Sequence, residues 1–304
     1  MKRLVKLWLV AKIKRKPLIL SHSGDADGIL SAAIALRKFG DAEVELAEPY
    51  EIQRGGLFNL FNIIPWDIVA DLPCPKGAKL WIDHHKTNKP CGKRYVYDPS
   101  APCAAVLVLK ALGLEDDEVA RRLAEIAVQT DTASIRDEVA WKVYDAVKGS
   151  NRDGRLFLVK LFARQGLKAL EQPTVQKFME NGRNRRENSE KAALRIPEGI
   201  IPFIYIDKHG LVFARMMLWY LQLRGFKLMF TVRRVSPREW SISIGRGDDS
   251  IDCSEIATKL GGGGHSAAAG ATVKAKSPME VKRMVEKIIG EELTFLKVSE
   301  LLSP

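Results

Sequence analysis

Paired cysteines, long apolar runs and internal repeats are all missing from this chain of 304 residues. The four cysteines, Cys74, Cys91, Cys103 and Cys253, never stand in CxxC spacing. Structural zinc sites usually take paired ligands roughly two to four residues apart, so zinc held by Cys74, Cys91 and a nearby histidine is the weaker reading. Buried free thiols in a reducing cytosol are the stronger one, which sets the expected location as cytoplasmic. No stretch approaches the roughly 20 uncharged apolar residues of a membrane span, and no membrane partner is expected. The opening MKRLVKLWLVAKIKRK has the basic flank and short apolar centre of a signal peptide. Lys6 and Lys12 break that centre, however, and no small-residue cleavage site follows it. It reads as part of the mature protein, a basic lead-in to the first strand. No low-complexity segment occurs apart from the glycine run at Gly261 to Gly264.

What is present is the composition of a soluble globular chain, 46% apolar and 28% charged, long enough for two ordinary domains. The formal net charge of +11 favours polyanionic partners such as nucleic acids, nucleotides or phosphates. In the first half, short apolar runs alternate with helical patterns. PLILS, VELAE, IIPWDIVAD and AKLWID carry strands, and GILSAAIALRKFG carries a helix stopped at Gly40. Continuous apolar strands alternating with helices predict an α/β fold with a doubly wound, mainly parallel sheet. Such sheets bind ligands at the carboxyl ends of their strands. Helical patterns follow through APCAAVLVLKALG, DDEVARRLAEIAVQTDTAS, AWKVYDAVKG and RLFLVKLFARQG. The polar segment TVQKFMENGRNRRENSEKAALR predicts a long exposed helix or linker. We therefore expect domains at 1–185 and 201–304, joined by 186–200. The last third restarts with its own smaller α/β pattern: the strand IPFIYID, the helix GLVFARMMLWYLQLRG, and the strand pair FKLMFTVRRV and REWSISIGR. A final amphipathic helix, MEVKRMVEKIIGEE, closes it.

Chemistry concentrates where the apolar strand runs end. PLIL discharges into His22-Ser-Gly-Asp25-Ala-Asp27-Gly28, IVAD ends at Asp71, and KLWI runs into Asp83, His84 and His85. Asp131 stands near the end of a helix. Taken singly, each has a plain structural reading. Asp25 or Asp27 suits a helix N-cap, Asp71 before Leu-Pro suits a turn, and the two histidines suit a capped loop. Taken together they form a like-charge cluster that needs a cation to neutralise it. Carboxylates mixed with imidazoles suit manganese better than an all-oxygen magnesium site.

The motifs HSGDADG, the Asp71 strand end, IDHHK and VQTDTAS, in this order, resemble the four signature motifs of the DHH phosphoesterase superfamily. The segment SIGRG followed by EIATKLGGGGHSAAAG is similar to the DHH-associated C-terminal domain, so the resemblance spans nearly the whole chain. It implies two manganese ions, with magnesium or cobalt as possible substitutes. His22, Asp25 and Asp71 match the ligands of one ion, and Asp27, Asp71, His84 and Asp131 match those of the other. Asp71 would bridge them, with Asp67 as the alternative because the spacing from Asp71 to Asp83 is short for the family. Asp83 would orient a ligand histidine or contact the site from behind the ligands, and His85 would face the phosphate. Arg246 with Gly262, Gly263, Gly264 and His265 would bind the substrate's phosphate or terminal nucleotide. His209 matches nothing in the family.

The resemblance implies a manganese-dependent phosphodiesterase that trims short oligonucleotides or single-stranded RNA or DNA to mononucleotides. Its alternative within enzymes is a hydrolase of cyclic dinucleotides or of 3′-phosphoadenosine 5′-phosphate. A non-catalytic replication scaffold is a remote third, since such relatives typically lose ligand residues that are all present here. Oligomeric state is open, a homodimer included.

Overall fold

The structure is a computed structural model describing residues 2–53, 59–132 and 134–303. The chain forms two compact units, Met1–Gly182 and Arg183–Pro304. The division falls inside the 22-residue helix Pro173–Leu194.

The first unit opens with a helix, α1 (Lys2–Lys14), where a plain lead-in to the first strand was expected. Spacing explains the correction. Leu4, Leu7, Trp8 and Ala11 recur at helical intervals and join an apolar cluster with Phe61, Trp66 and Trp81. The chain continues through β1 (Leu18–His22), α2 (Ala26–Phe39), β2 (Glu43–Ala47), α3 (Pro49–Gln53), α4 (Leu60–Ile63), β3 (Ile68–Ala70), β4 (Leu80–Asp83) and β5 (Arg94–Tyr97). The helices α5 (Ala104–Ala111), α6 (Glu118–Asp131), α7 (Glu138–Gly149) and α8 (Arg152–Gln165) follow, and α9 (Pro173–Leu194) begins in this unit and ends in the second.

Among the described residues, five strands form a wholly parallel sheet in the order β2-β1-β3-β4-β5. Successive side chains face opposite cores. Ile19, Ile68, Ala70 and Ile82 join the cluster built with α2, α5, α6, α7 and α8, while Leu20, Val69 and Trp81 join the one that holds α1. Both faces are covered, which is what continuous apolar strands need. The order reverses between β1 and β3, and ligands of such sheets sit beyond the carboxyl ends at that reversal. β1 ends at His22 and β3 ends one residue before Asp71.

Cys74 and Cys91 correct the expectation of free thiols. They form a disulfide with Cα atoms 5.8 Å apart. The loop after β3 and the loop after β4 converge there, a proximity that a separation of 17 residues does not announce. The inference from reduced thiols to a cytoplasmic location then rests on Cys103 and Cys253 alone, both buried and free. Among the described residues no helix is long and apolar enough to cross a membrane.

The second unit comprises β6 (Pro202–Tyr205), α10 (Ala214–Leu223), β7 (Leu228–Ser236), β8 (Glu239–Arg246), α11 (Cys253–Lys259), β9 (Gly263–Gly264), β10 (Ala268–Lys274), α12 (Pro278–Ile289), β11 (Thr294–Lys297) and α13 (Val298–Leu301). Its mixed sheet runs β11-β6-β7-β8-β10-β9. The expected strand pair is the antiparallel β7–β8, with a register shift between Arg234 and Ser236. β11 and β5, both short and only partly buried, are strands that the apolar pattern did not announce.

Candidate metal centre

Asp71 is the pivot of the first unit's sheet edge. It is only 2% exposed, yet neither carboxylate oxygen has a hydrogen-bond partner. Its backbone lies in the left-handed region at φ 58°, unusual for a residue with a Cβ although aspartate tolerates it better than most. The Asp71 amide donates to the Ile82 carbonyl at 3.0 Å, which holds the turn against β4. Strain and buried, unpaired oxygens each cost free energy, and such features cluster at sites that a ligand completes.

Three imidazoles surround it. His22 Nδ1 lies 3.4 Å from Asp71 Oδ2 and 3.2 Å from Asp25 Oδ2. His84 Nε2 lies 3.7 Å from Asp71 Oδ1, 3.7 Å from Asp27 Oδ2 and 3.6 Å from Asp131 Oδ2. His85 Nδ1 lies 3.5 Å from Asp71 Oδ1, but it stands closer to Asp83 Oδ1, at 2.9 Å. Three overlapping groups result: His22, Asp25 and Asp71; Asp27, His84 and Asp131; and Asp71, His84 and His85. In the third, Asp83 already engages the His85 nitrogen, so we read only the first two as cation ligand sets.

Local folding aims these side chains. Asp25 caps α2 by accepting from the Gly28 amide with Oδ1, which leaves Oδ2 toward His22. Cap and ligand are therefore compatible roles, not alternatives. Gly28 is required because a Cβ there would stand 2.2 Å from the His22 carbonyl oxygen. Asp27 accepts from the Ala104 and Ala105 amides at 2.7 and 2.8 Å, closing the start of α5, whose own N-cap residue Cys103 makes no side-chain cap bond. His84 Nδ1 faces the Ala101 carbonyl at 3.3 Å, which favours the tautomer whose Nε2 lone pair points at the carboxylates. That Nε2 is buried and unpartnered. Asp83 is fully buried and also accepts from Asn88 Nδ2 at 2.6 Å. The histidine it orients is His85 and not the candidate ligand His84.

Charges at the edge are in open competition. Burial opposes protonation of His22, but Asp25, Asp71 and Glu48 outweigh it and hold its pKa well above the usual imidazole range. Burial likewise opposes a charge on His84, and Asp71, Asp27 and Asp131 overcome it, lifting His84 to about 9. Burial and then the charges of Asp71, Asp131 and Asp25 push the Asp27 carboxyl well up. Burial followed by Asp25 and Asp71 raises Asp131 to about 6. Protons and cations thus contend for the same lone pairs, the usual condition of a metal site. The donor set fits divalent cations: carboxylates and imidazoles converge, and both Asp71 oxygens and His84 Nε2 lack any other partner.

Sequence reading missed Glu48, Lys148 and Arg155. Glu48 follows β2, lies 3.5 Å from His22 Nε2 through Oε2 and accepts from Ser23 Oγ at 2.5 Å. Burial opposes its charge, but His22 and Ser23 hold its pKa down at about 2. Lys148 Nζ donates to the Gly24 carbonyl at 2.6 Å, and Arg155 Nη1 donates to that of Ser23 at 2.8 Å. Glu48 did carry a signal, an acid directly after the strand run VELA, much as Asp71 and Asp83 stand at the ends of theirs. Lys148 and Arg155 carried none, being helical cations more than 120 residues away from the loop they hold. Asp67 lies at the opposite end of β3, where it accepts from the Leu18 amide and Lys79 Nζ at 2.8 and 2.7 Å.

In the second unit, Gly263 and Gly264 pair with Ala269 and Gly270 to form the hairpin β9–β10. A Cβ on Gly262 would stand 2.1 Å from the Gly270 carbonyl oxygen. His265 is exposed, and its amide donates to the Ala268 carbonyl at 2.9 Å. Arg246 is already engaged: Nη1 donates to the Asp249 and Ile251 carbonyls at 2.6 Å each, and Nη2 lies 3.1 Å from the Asp249 carboxylate. Its Nε is buried without a partner. His209 is exposed, with Nε2 3.4 Å from the Arg234 carbonyl.

No family profile and no curated protein sequence matches the chain. Solved structures do. The chain is similar to the pGpG-specific phosphodiesterase PggH from Vibrio cholerae, with 19% identity, a TM-score of 0.64, and coverage of 90% of this chain and 99% of that one. It is similar to a manganese-bound exonuclease RecJ at 17% identity and a TM-score of 0.59, covering 95% of this chain and 94% of that one. RecJ from Thermus thermophilus in complex with Mn2+ matches at 15% identity and a TM-score of 0.60, covering 97% of this chain and 56% of that one. The chain thus has the fold that the resemblance to DHH phosphoesterases implied.

Proposed function

We propose that this chain is a DHH-superfamily phosphodiesterase that uses two divalent cations, manganese foremost, to hydrolyse short oligonucleotides to mononucleotides. One observation carries the reading: Asp71, strained and buried, offers two unpartnered oxygens, one toward the His22 and Asp25 pair and one toward His84. Asp71 would therefore serve both cations, His22 and Asp25 completing one set, and Asp27, His84 and Asp131 the other. Bound there, the cations would polarise a phosphoryl oxygen and lower the pKa of water for in-line attack.

The chain's own groups supply the rest. His85 bonds Asp83 through Nδ1, and that bond, against the opposing effect of burial, raises its pKa. Its Nε2–H is then available to a phosphoryl oxygen as charge develops there. The second unit would hold the phosphate or terminal nucleotide at the close backbone approach of Gly262, Gly263 and Gly264; the Gly262 amide already donates to the Ala257 carbonyl at 2.8 Å, so the donors would come from the neighbouring glycines and the exposed His265 side chain. Arg246 would act mainly by shaping the loop to Asp249 and Ile251, since most of its donors are engaged within that loop. The net charge of +11 supports a polyanionic substrate, RNA or DNA.

A dinucleotide is the second reading. It is favoured by the match over 99% of PggH, whose name specifies the linear dinucleotide pGpG. Product ladders on end-labelled short and long RNA and DNA, beside linear and cyclic dinucleotides, separate the two. His84→Ala is the variant to run alongside, because His84 makes no fold-supporting bond beyond the one at Ala101, whereas Asp27→Ala also uncaps α5. Metal-stimulated cleavage by the parent that His84→Ala lacks is the expected outcome. Full activity of folded His84→Ala with added manganese defeats the reading.

A further inference from the structure

α1 has a second face that the fold leaves unused. Leu4, Leu7, Trp8 and Ala11 turn inward to the apolar cluster. Val5, Leu9 and Ile13 follow one another at intervals of four residues and form a stripe on the opposite side, exposed by 38%, 43% and 79%. Lys2, Lys6 and Lys12 are exposed along that stripe, and Lys14 and Arg15 follow at its end. Between positions 2 and 16 the chain carries seven cations and no acid. Arg3 pins the helix in this orientation, because its Nη2 lies 2.9 Å from the buried carboxylate of Glu45, which Arg152 also contacts at 2.9 Å.

We propose that α1 is a docking surface for a bilayer bearing anionic lipids, lying in the headgroup plane with Val5, Leu9 and Ile13 in the acyl boundary. An apolar stripe among lysines on an uninterrupted cationic helix has the chemistry of an interfacial helix, joining apolar burial to attraction for anionic headgroups. The charge argues against a second copy, since two-fold pairing of this face would set lysines against lysines. The stripe argues against nucleic acid, because its three aliphatic side chains offer bases no stacking platform. The lack of a spanning segment, which led to the expectation of no membrane partner, does not bear on a helix that lies flat.

Flotation of the full chain with vesicles tests this. The chain rises with vesicles of phosphatidylcholine mixed with phosphatidylglycerol and not with phosphatidylcholine alone. The exposed double substitution Leu9→Asp and Ile13→Asp lowers partitioning roughly tenfold or more, and added salt weakens it. Lys6→Glu with Lys12→Glu does the same without touching apolar residues, and serves if the first variant misfolds. Hydrolysis of a soluble substrate and the circular dichroism spectrum stay at parent values in both. No flotation with anionic vesicles, or equal flotation of parent and variants, overturns the proposal. So does a parent dimer that the aspartates split, or single-stranded RNA binding that depends on the same stripe.

Discussion

The sheet edge of the first unit and the glycine hairpin of the second are both proposed to handle phosphate, and they are built in opposite ways. At the sheet edge, side chains do the work under tension. Asp71 is bent into the left-handed region, its oxygens and His84 Nε2 are buried without partners, and three more acids, Asp25, Asp27 and Asp131, crowd within reach. At the hairpin, backbone does the work at rest. Gly263 and Gly264 are paired to β10, and most donors of Arg246 are satisfied inside its own loop. The contrast sets a cluster of buried, unpartnered side-chain atoms against a backbone surface that is largely satisfied within itself, Arg246 Nε apart. Removing a group from the first should free stored energy and abolish function; disturbing the second should cost order and weaken binding.

The largest effect is expected at Asp71. Replacing it with glycine keeps the left-handed backbone at no steric cost and relieves about 1 kcal/mol of strain, and the repulsion it removes from Asp25, Asp27 and Asp131 offsets the attraction it loses to His22 and His84. Metal-free Asp71→Gly therefore melts at or above the parent temperature. Its hydrolysis falls by on the order of a thousandfold, since several kcal/mol of transition-state stabilisation leave with the cations. Manganese is expected to raise the parent's melting temperature and to leave the variant's unchanged. Calorimetry with and without manganese, beside a single-turnover assay, reads all three. A lower melting temperature in the metal-free variant would show that Asp71 supports the fold and not a ligand.

The same contrast explains what was legible in the sequence. Asp71, Asp83 and Glu48 all follow apolar strand runs, and period and composition mark such positions without any long-range knowledge. The capping of α5 by Asp27 could not be read, because it joins amides 77 and 78 residues away. The Cys74–Cys91 bond and the grip of Lys148 and Arg155 were hidden for the same reason: contacts across the fold follow from packing, which a one-dimensional pattern does not encode. α1 was misread because its apolar residues alternate with lysines, and charge at the start of a chain draws attention away from helical spacing. The resemblance supplied the ligand assignments; local pattern alone had left each carboxylate as a cap or a turn.

Glu48 tests whether the tension at the sheet edge extends past the ligands. It faces His22 Nε2, so it fixes the ring whose Nδ1 points to Asp25 and Asp71. Glu48→Gln keeps the shape and removes the charge, and comparable changes behind a ligand histidine weaken metal binding by roughly 10- to 100-fold. Manganese titration followed by isothermal calorimetry should return a loss in that range, with activity recovering at high manganese. Unchanged affinity would confine the metal centre to its ligands and make Glu48 a purely structural acid.

The smallest effect is expected at the hairpin, and it probes the other side of the comparison. A Cβ on Gly262 meets the Gly270 carbonyl oxygen at 2.1 Å and the Ala271 Cα at 2.6 Å, all in backbone that cannot swing aside as a side chain would. Gly262→Ala must therefore shift β9 away from β10 and misalign the amides proposed to receive phosphate. Nothing in the first unit's metal groups is altered, so manganese affinity and single-turnover cleavage at saturating substrate should match the parent. KM alone should rise, by about tenfold if the misplaced amides lose roughly the strength of one charge-assisted hydrogen bond. A fall in kcat at unchanged KM would mean that the hairpin acts on the reacting phosphate itself, and the division between a tensioned chemical site and a relaxed binding surface would have to be abandoned.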